Sequence, residues 1–403
     1  MSATTLTSGE DRARLAPIVL RASVWLWFAI TLIGQVMFAL ATAIFYSRAA
    51  GRGDLLAWNK FMTHGYLAGH AADNAAVGVH LAMAAIIPIA GMLQLIPAIR
   101  RRAPVFHRWT GRIYMAAAVL ISLAGLWMVW VRGTPGALSQ HLGLSLNAVL
   151  ILVFAALALR TAMARDIRHH RRWALRLLIA VSGVWFMRIG MPLAYLIFGG
   201  PYGYSPRTFT GPFLVFMAFA TYLLPLAVLE MYLRVQDRPG ASRQWAMACG
   251  LFLADAGMAI GVAAGVAGLW LPAITPALAA RAPLVETLSV TIAQHGVAAA
   301  VAQYRALRAQ PSGAAMFNED VLNDLGYELL HAGRPTDAVR IFQLNVESYP
   351  GSANAYDSLG EAEADAGDTA RAIADYQTCL ALNPKSANAR QALAELRAPG
   401  PQR

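Results

Sequence analysis

Seven stretches of this chain are each apolar for the length of a membrane crossing. They run over about 18–46, 76–99, 109–131, 141–163, 173–199, 210–233 and 244–270. A helix needs about 20 mostly apolar residues to span a bilayer, and its backbone must satisfy its own hydrogen bonds there. Seven such runs leave little choice but an all-α bundle over residues 1–270. The composition agrees, with 57% hydrophobic and 14% charged residues, too apolar for a soluble chain of this length. The first run follows Arg12 and Arg14 and is too long for a cleaved signal, so it reads as a signal anchor.

The formal charge of +11 is divided. Residues 311–403 hold seven Lys/Arg against thirteen Asp/Glu, and the rest of the chain holds 26 against nine. Nucleic acid is therefore not an expected partner, because the tail is acidic and the basic charge belongs to membrane loops. Those loops alternate. Arg100, Arg101, Arg102, Arg108 and Arg112 lie between the second and third runs. Arg160, Arg165, Arg168, Arg171, Arg172 and Arg176 lie between the fourth and fifth, and Arg234, Arg238 and Arg243 between the sixth and seventh. The intervening loops at 132–140 and 200–209 carry only Arg132 and Arg207. The positive-inside rule then places the N-terminus in the cytoplasm and the C-terminal tail outside. Loop 47–75, with Arg48, Arg52 and Lys60, fits that rule least well.

Residues 271–316 read as a helical linker after Pro272 and Pro276, with one amphipathic helix over "GVAAAVAQYRALRAQ". Residues 317–403 then repeat with a period of 34. Leu325-Gly326 recurs as Leu359-Gly360, Gly333 as Gly367, Ala338 as Ala372, Phe342 as Tyr376 and Pro350 as Pro384. Small residues let two helices approach, an aromatic fills the groove between them, and proline stops the second helix. This pattern resembles the tetratricopeptide repeat (TPR), which implies a C-terminal α-solenoid and a protein or peptide partner. The resemblance also implies that the first helix of each repeat lines a groove presenting Asp320, Asn323, Tyr327, Asp357, Glu361 and Asp365, an acidic face suited to a basic or polar peptide. A helix over 386–397 is expected to cap the array. Cys249 and Cys379 fall in different regions, so no disulfide framework is implied.

Seven of the nine histidines lie between His64 and His170. His80 and His141 fall near the outer ends of the second and fourth helices. His107 and His170 fall near the inner ends of the third and fifth. Two histidine pairs on opposite leaflets resemble the layout of di-haem transmembrane cytochromes, and the expectation drawn from it is haem b on His80/His141 and His107/His170, carrying electrons across the membrane. The plainer reading of His107 and His170 is headgroup contact among arginines. The spacing of His64, His70, Asp73 and His80 gives no i, i+4 metal pair, so no metal beyond a haem iron is expected. Arg188 and Asp255 are mid-helix charges, and the cost of burying either alone predicts an ion pair or a transport path.

"RRRAPVFHRWTGRIY" and "HHRRWALR", with "GMLQLIPAIR" before the first, resemble an uncharacterised bacterial family of predicted multi-pass membrane proteins over residues 60–235. The matching positions are His107, Arg108, Trp109, Gly111, Arg112 and Tyr114, then His170, Trp173 and Arg176; Ala174 departs from the family's methionine. The resemblance implies an inner-membrane location and no known activity. No nucleophile–base pair or phosphate-cradling glycine loop occurs, so soluble-type enzyme chemistry is not expected. Three functions stay open: an electron carrier, a membrane anchor displaying a repeat module, and a transporter or sensor using Arg188 and Asp255.

Overall fold

The computed structural model describes residues 3–62, 64–200, 202–204, 209–274, 283–310 and 317–397. Arg207 and Pro276 lie outside them. The described residues are helical or in turns, with no strand among them. They divide into two compact units. One comprises residues 1–45 and 76–275, the other 46–75 and 276–403.

The first unit is the membrane bundle. Six helices are long and apolar enough to cross: Asp11–Gly51 within α1 (Ala3–Gly51), α2 (Ala71–Leu95), α4 (Pro104–Trp127) with its π-helical extension to Gly133, α5 (Leu138–Met163), α8 (Pro212–Asp237), and α9 (Ala241–Gly265) with its extension to Trp270. The fifth apolar run is not one straight helix. It is α6 (Ile167–Val181) and α7 (Gly183–Phe198), bent by 46° at Ser182. Continuous hydropathy hides such a break. The short helix α3 (Pro97–Arg102) and α4 each begin on a proline, whose missing N–H costs nothing in a first turn. Asp166 caps α6 by accepting the His169 amide at 3.1 Å. Close approach rests on small residues. A Cβ at Gly143 would stand 3.0 Å from Ala218, and Tyr222 of α8 donates to the Gly143 carbonyl at 3.1 Å. The outward faces carry large apolar side chains such as Leu253, Ile197 and Phe216, as a lipid-facing surface requires.

The second unit is a stack of helical hairpins. The pairs are α11 (Pro283–His295) with α12 (Val297–Arg308), α13 (Glu319–His331) with α14 (Pro335–Ser348), and α15 (Ala353–Asp365) with α16 (Thr369–Leu382); α17 (Ala387–Arg397) follows, and the four-residue helix Leu271–Ile274 that ends the bundle is α10. The 34-residue period is built as the sequence requires. A Cβ at Gly326 would run into the Phe342 ring, and one at Gly360 would meet the Tyr376 ring at 3.2 Å. Within residues 271–316, Pro283–His295 and Val297–Arg308 form a hairpin of the stack, with Tyr304 fully buried in the same core as Leu322 and Leu325.

Residues 46–75 belong to this second unit. Leu56 enters the same apolar core as the hairpins. Hydropathy alone reads the segment as a loop between two crossings, because its contacts lie more than 200 residues away.

Candidate functional site

The first helices of successive hairpins share a polar seam. The Tyr327 hydroxyl donates to Glu361 Oε2 at 2.9 Å and meets Ser358 Oγ at 3.2 Å. Ser358 donates to Asn323 Oδ1 at 2.8 Å. Asn388 of α17 donates to Asp357 Oδ2 at 2.6 Å. Burial, then the Glu361 carboxylate, push the Tyr327 phenol well above its ordinary range, so it remains a donor. Of the six predicted groove residues, Asn323, Tyr327, Asp357 and Glu361 are thus engaged in joining α13, α15 and α17. Asp320 and Asp365 stay exposed at the surface. Ser358 and Asn388 complete the seam, and no composition signal marked them.

The α1–α2 segment occupies the start of the same row of helices. Its 3-10 turn Leu55–Lys60 packs on α11 and α13. Lys60 Nζ reaches Asp324 at 2.6 Å and Arg52 reaches Glu286 at 2.9 Å. Ser289 donates to the buried Asp54 at 2.7 Å. The ring Nδ1 of His331 donates to the Asn59 carbonyl at 2.9 Å, and the His331 carbonyl accepts the His64 amide. Two asparagines hold the segment in shape. Asn59 bonds both backbone groups of Tyr66, and Asn74 both of Leu67. Burial holds the His331 imidazole below its ordinary pKa, opposed by its bond to Asn59. The histidines of this segment diverge: His64 faces Gly333, while His70 pairs with Asp73 at 3.3 Å.

The bundle separates the other predicted residues. His80 is hydrogen-bonded to the Ile121 carbonyl, lies beside Gly125 and feels the charge of Arg188. His141 Nε2 sits 3.0 Å from the Thr134 carbonyl, with its ring against Trp130. Each ring spends one nitrogen on a backbone carbonyl, as ligating histidines also do. The inner pair is similar. His170 Nδ1 donates to the Ala158 carbonyl at 2.9 Å, leaving Nε2 for another partner. His107 lies near enough to His170 for their charges to interact, and its buried Nδ1 has no partner. Among the described residues no cluster of three His, Cys, Asp or Glu could hold a metal ion.

Among the described residues the expected Arg188–Asp255 ion pair is not formed: Asp255 is 1% exposed, and neither carboxylate oxygen has a hydrogen-bond partner among them. The charge of Arg188 is felt at His80. The break at Ser182 carries a bond that sequence reading missed: Gln35 of α1 donates to Ser182 Oγ at 3.0 Å. Between α6 and α8, Arg172 and Arg168 reach Asp237, and Arg176 reaches Glu230 at 2.6 Å while stacking on Trp173. Gly111 meets Gln94 of α2, so the small residue in the first motif accommodates a neighbouring helix.

Residues 77–224 match the family model described as a predicted membrane protein (DUF2306). The matched stretch contains both arginine–histidine motifs and all four candidate haem histidines. With the apolar helices, it makes the chain a multi-pass membrane protein. No curated protein matches the chain. Among solved structures, the crystal structure of the P58(IPK) TPR domain at 2.5 Å aligns with 82% of this chain and 93% of its own, at 14% identity and a TM-score of 0.21. A score that low carries no argument about fold.

Proposed function

We propose that this protein is a membrane-embedded scaffold whose repeat unit binds a peptide along the first helices of its hairpins. The observation that carries this reading is the segment Arg52–His64. It is a stretch of the chain's own backbone lying on α11 and α13, with a lysine on Asp324 and a leucine in the core. Segments recognised by helical repeats use such features: one charged anchor, one apolar anchor and backbone bonds. The seam continues beyond Asp324 with Asp320, Glu361 and Asp365, so a basic extended peptide is the fitting external ligand. A fluorescein-labelled Lys-Ala-Lys-Ala-Lys peptide tests this by anisotropy with the full chain in detergent. Binding that weakens with salt and with Asp320→Lys is expected; no binding at low salt removes the reading.

The same segment bears on topology. Residues 46–75 and the hairpins pack as one unit, so both occupy one side of the membrane. An even number of crossings must separate them. The straight helices α2, α4, α5, α8 and α9 make five. The bent pair α6/α7 then supplies the sixth, and with α1 the bundle has seven crossings. Charge alternation puts that shared side outside the cytoplasm.

A second reading concerns the bundle. His107 and His170 retain ring nitrogens for a ligand, and haem b there would supply an electron-carrying centre. A reduced-minus-oxidised spectrum of the purified protein decides it, and a colourless preparation from haem-sufficient cells removes it. Asp255, buried without a partner, supports transport or sensing. Unchanged growth and transport with Asp255→Asn would count against a proton path.

A further inference from the structure

The bundle holds a cavity of about 520 Å³, within the usual range of ligand pockets. It lies among α1, α6, α7, α8 and α9, and its wall is almost wholly apolar, with Trp25, Trp27 and Phe28 on one side and Ala254 and Met258 on another. One cation lines it, Arg171, in the first turns of α6. Tyr232 lines it too, and the charges of both Arg171 and Arg21 act on that phenol.

Arg171 differs from its neighbours. Arg168 and Arg172 are paired with Asp237, and Arg176 with Glu230. Those two carboxylates of α8 satisfy three of the four arginines on this helix. Arg171 forms no ion pair among the described residues, and it is the one that borders the cavity. A cation at the inner end of an apolar slot calls for an anion attached to a hydrocarbon chain. Basic pockets between transmembrane helices on the cytoplasmic side suit lipid headgroups, and the slot's volume suits a single chain.

We propose that this cavity takes one acyl chain of an anionic phospholipid, with the headgroup phosphate held at Arg171 and Tyr232. The test reconstitutes the full chain in phosphatidylcholine vesicles. Either brominated phosphatidylglycerol or brominated phosphatidylcholine is added at equal mole fraction, and tryptophan quenching is read. Quenching through Trp25 and Trp27 is expected to favour phosphatidylglycerol about fivefold, the effect of one arginine at a lipid surface. Arg171→Gln should abolish that preference, and Ala254→Phe should reduce quenching by both lipids. Arg168→Gln, which leaves the cavity wall intact, should leave the preference unchanged. Equal quenching by the two lipids overturns the proposal, as does an equal loss with Arg168→Gln, which would mean diffuse attraction only. Displacement by inorganic phosphate alone would also overturn it, since the site would then read a free anion. If Arg171→Gln does not fold, an Ala254→Phe variant that keeps the full phosphatidylglycerol preference overturns it as well.

Discussion

The two units place their large apolar side chains in opposite ways. In the hairpin unit, Asn323, Ser358, Tyr327 and Glu361 also form a chain of bonds between successive helices. Buried polar atoms with no partner among the described residues occur in both units, Asp255, Thr31 and His80 Nδ1 in the bundle and the Asn345 amide in the hairpins. Leu322, Leu325 and Leu329 are fully buried, whereas Leu253 of the bundle is 77% exposed. Water drives the first pattern by expelling apolar surface and rewarding paired polar groups. Lipid permits the second on the outer face, but it makes an unpartnered interior carboxylate costly. The unpaired Asp255 carboxylate in the bundle is therefore a better marker of function than the bonded polar seam of the hairpins.

The largest effect expected is all-or-none. In a Cys249→Ser background, single cysteines replacing His70 and Lys385 should react with an impermeant maleimide from the same side of the membrane. A cysteine replacing Arg101 should react from the other. Labelling of His70→Cys and Lys385→Cys from opposite sides would break the single-unit assignment of residues 46–75.

Next in size is a packing test within the repeat. Gly326→Ala drives a Cβ into the Phe342 ring, whereas Gly360→Ala meets nothing closer than 3.2 Å. Overpacking costs about 1–3 kcal/mol, so in urea unfolding of the full chain in detergent Gly326→Ala should lose about that much stability and Gly360→Ala much less. Equal losses would mean that the two repeats are packed alike.

A smaller effect comes from pH. His331 is held below its ordinary pKa of 6.5 in the folded chain. Its contribution is complete above that value and is lost as pH falls below it, because the unfolded imidazole then binds the proton more tightly. Release of the α1–α2 segment, read by trypsin cleavage at Lys60, should rise as pH drops from 7 to about 5. His331→Gln should flatten the change. Glu363 works in the other direction. Burial beside Asp375 pushes its carboxyl up to about 8, so its contribution weakens as pH rises from the ordinary carboxylate range toward 8. The difference between wild type and His331→Gln isolates the histidine.

The smallest is the Lys60–Asp324 pair. Both side chains are about one-third exposed, so a double-mutant cycle should give a coupling of about 0.5 kcal/mol. Coupling of several kcal/mol would make this ion pair, rather than Leu56, the main anchor.

Hydropathy alone located the six straight candidate crossings to within about seven residues at each end, because a bilayer imposes a length that composition must meet. The 34-residue period determined the hairpins and their contacts Gly326–Phe342 and Gly360–Tyr376, because that packing is local. Tertiary structure alone decided the bend at Ser182, since a helix break between apolar residues leaves hydropathy unchanged. It decided that Arg188 and Asp255 form no ion pair among the described residues, because a side chain's partner depends on helix rotation and tilt. It also decided that residues 46–75 belong with hairpins more than 200 positions away. That docking rests on single bonds from Lys60, Asp54 and Asn59, and such bonds leave no periodic trace in a sequence.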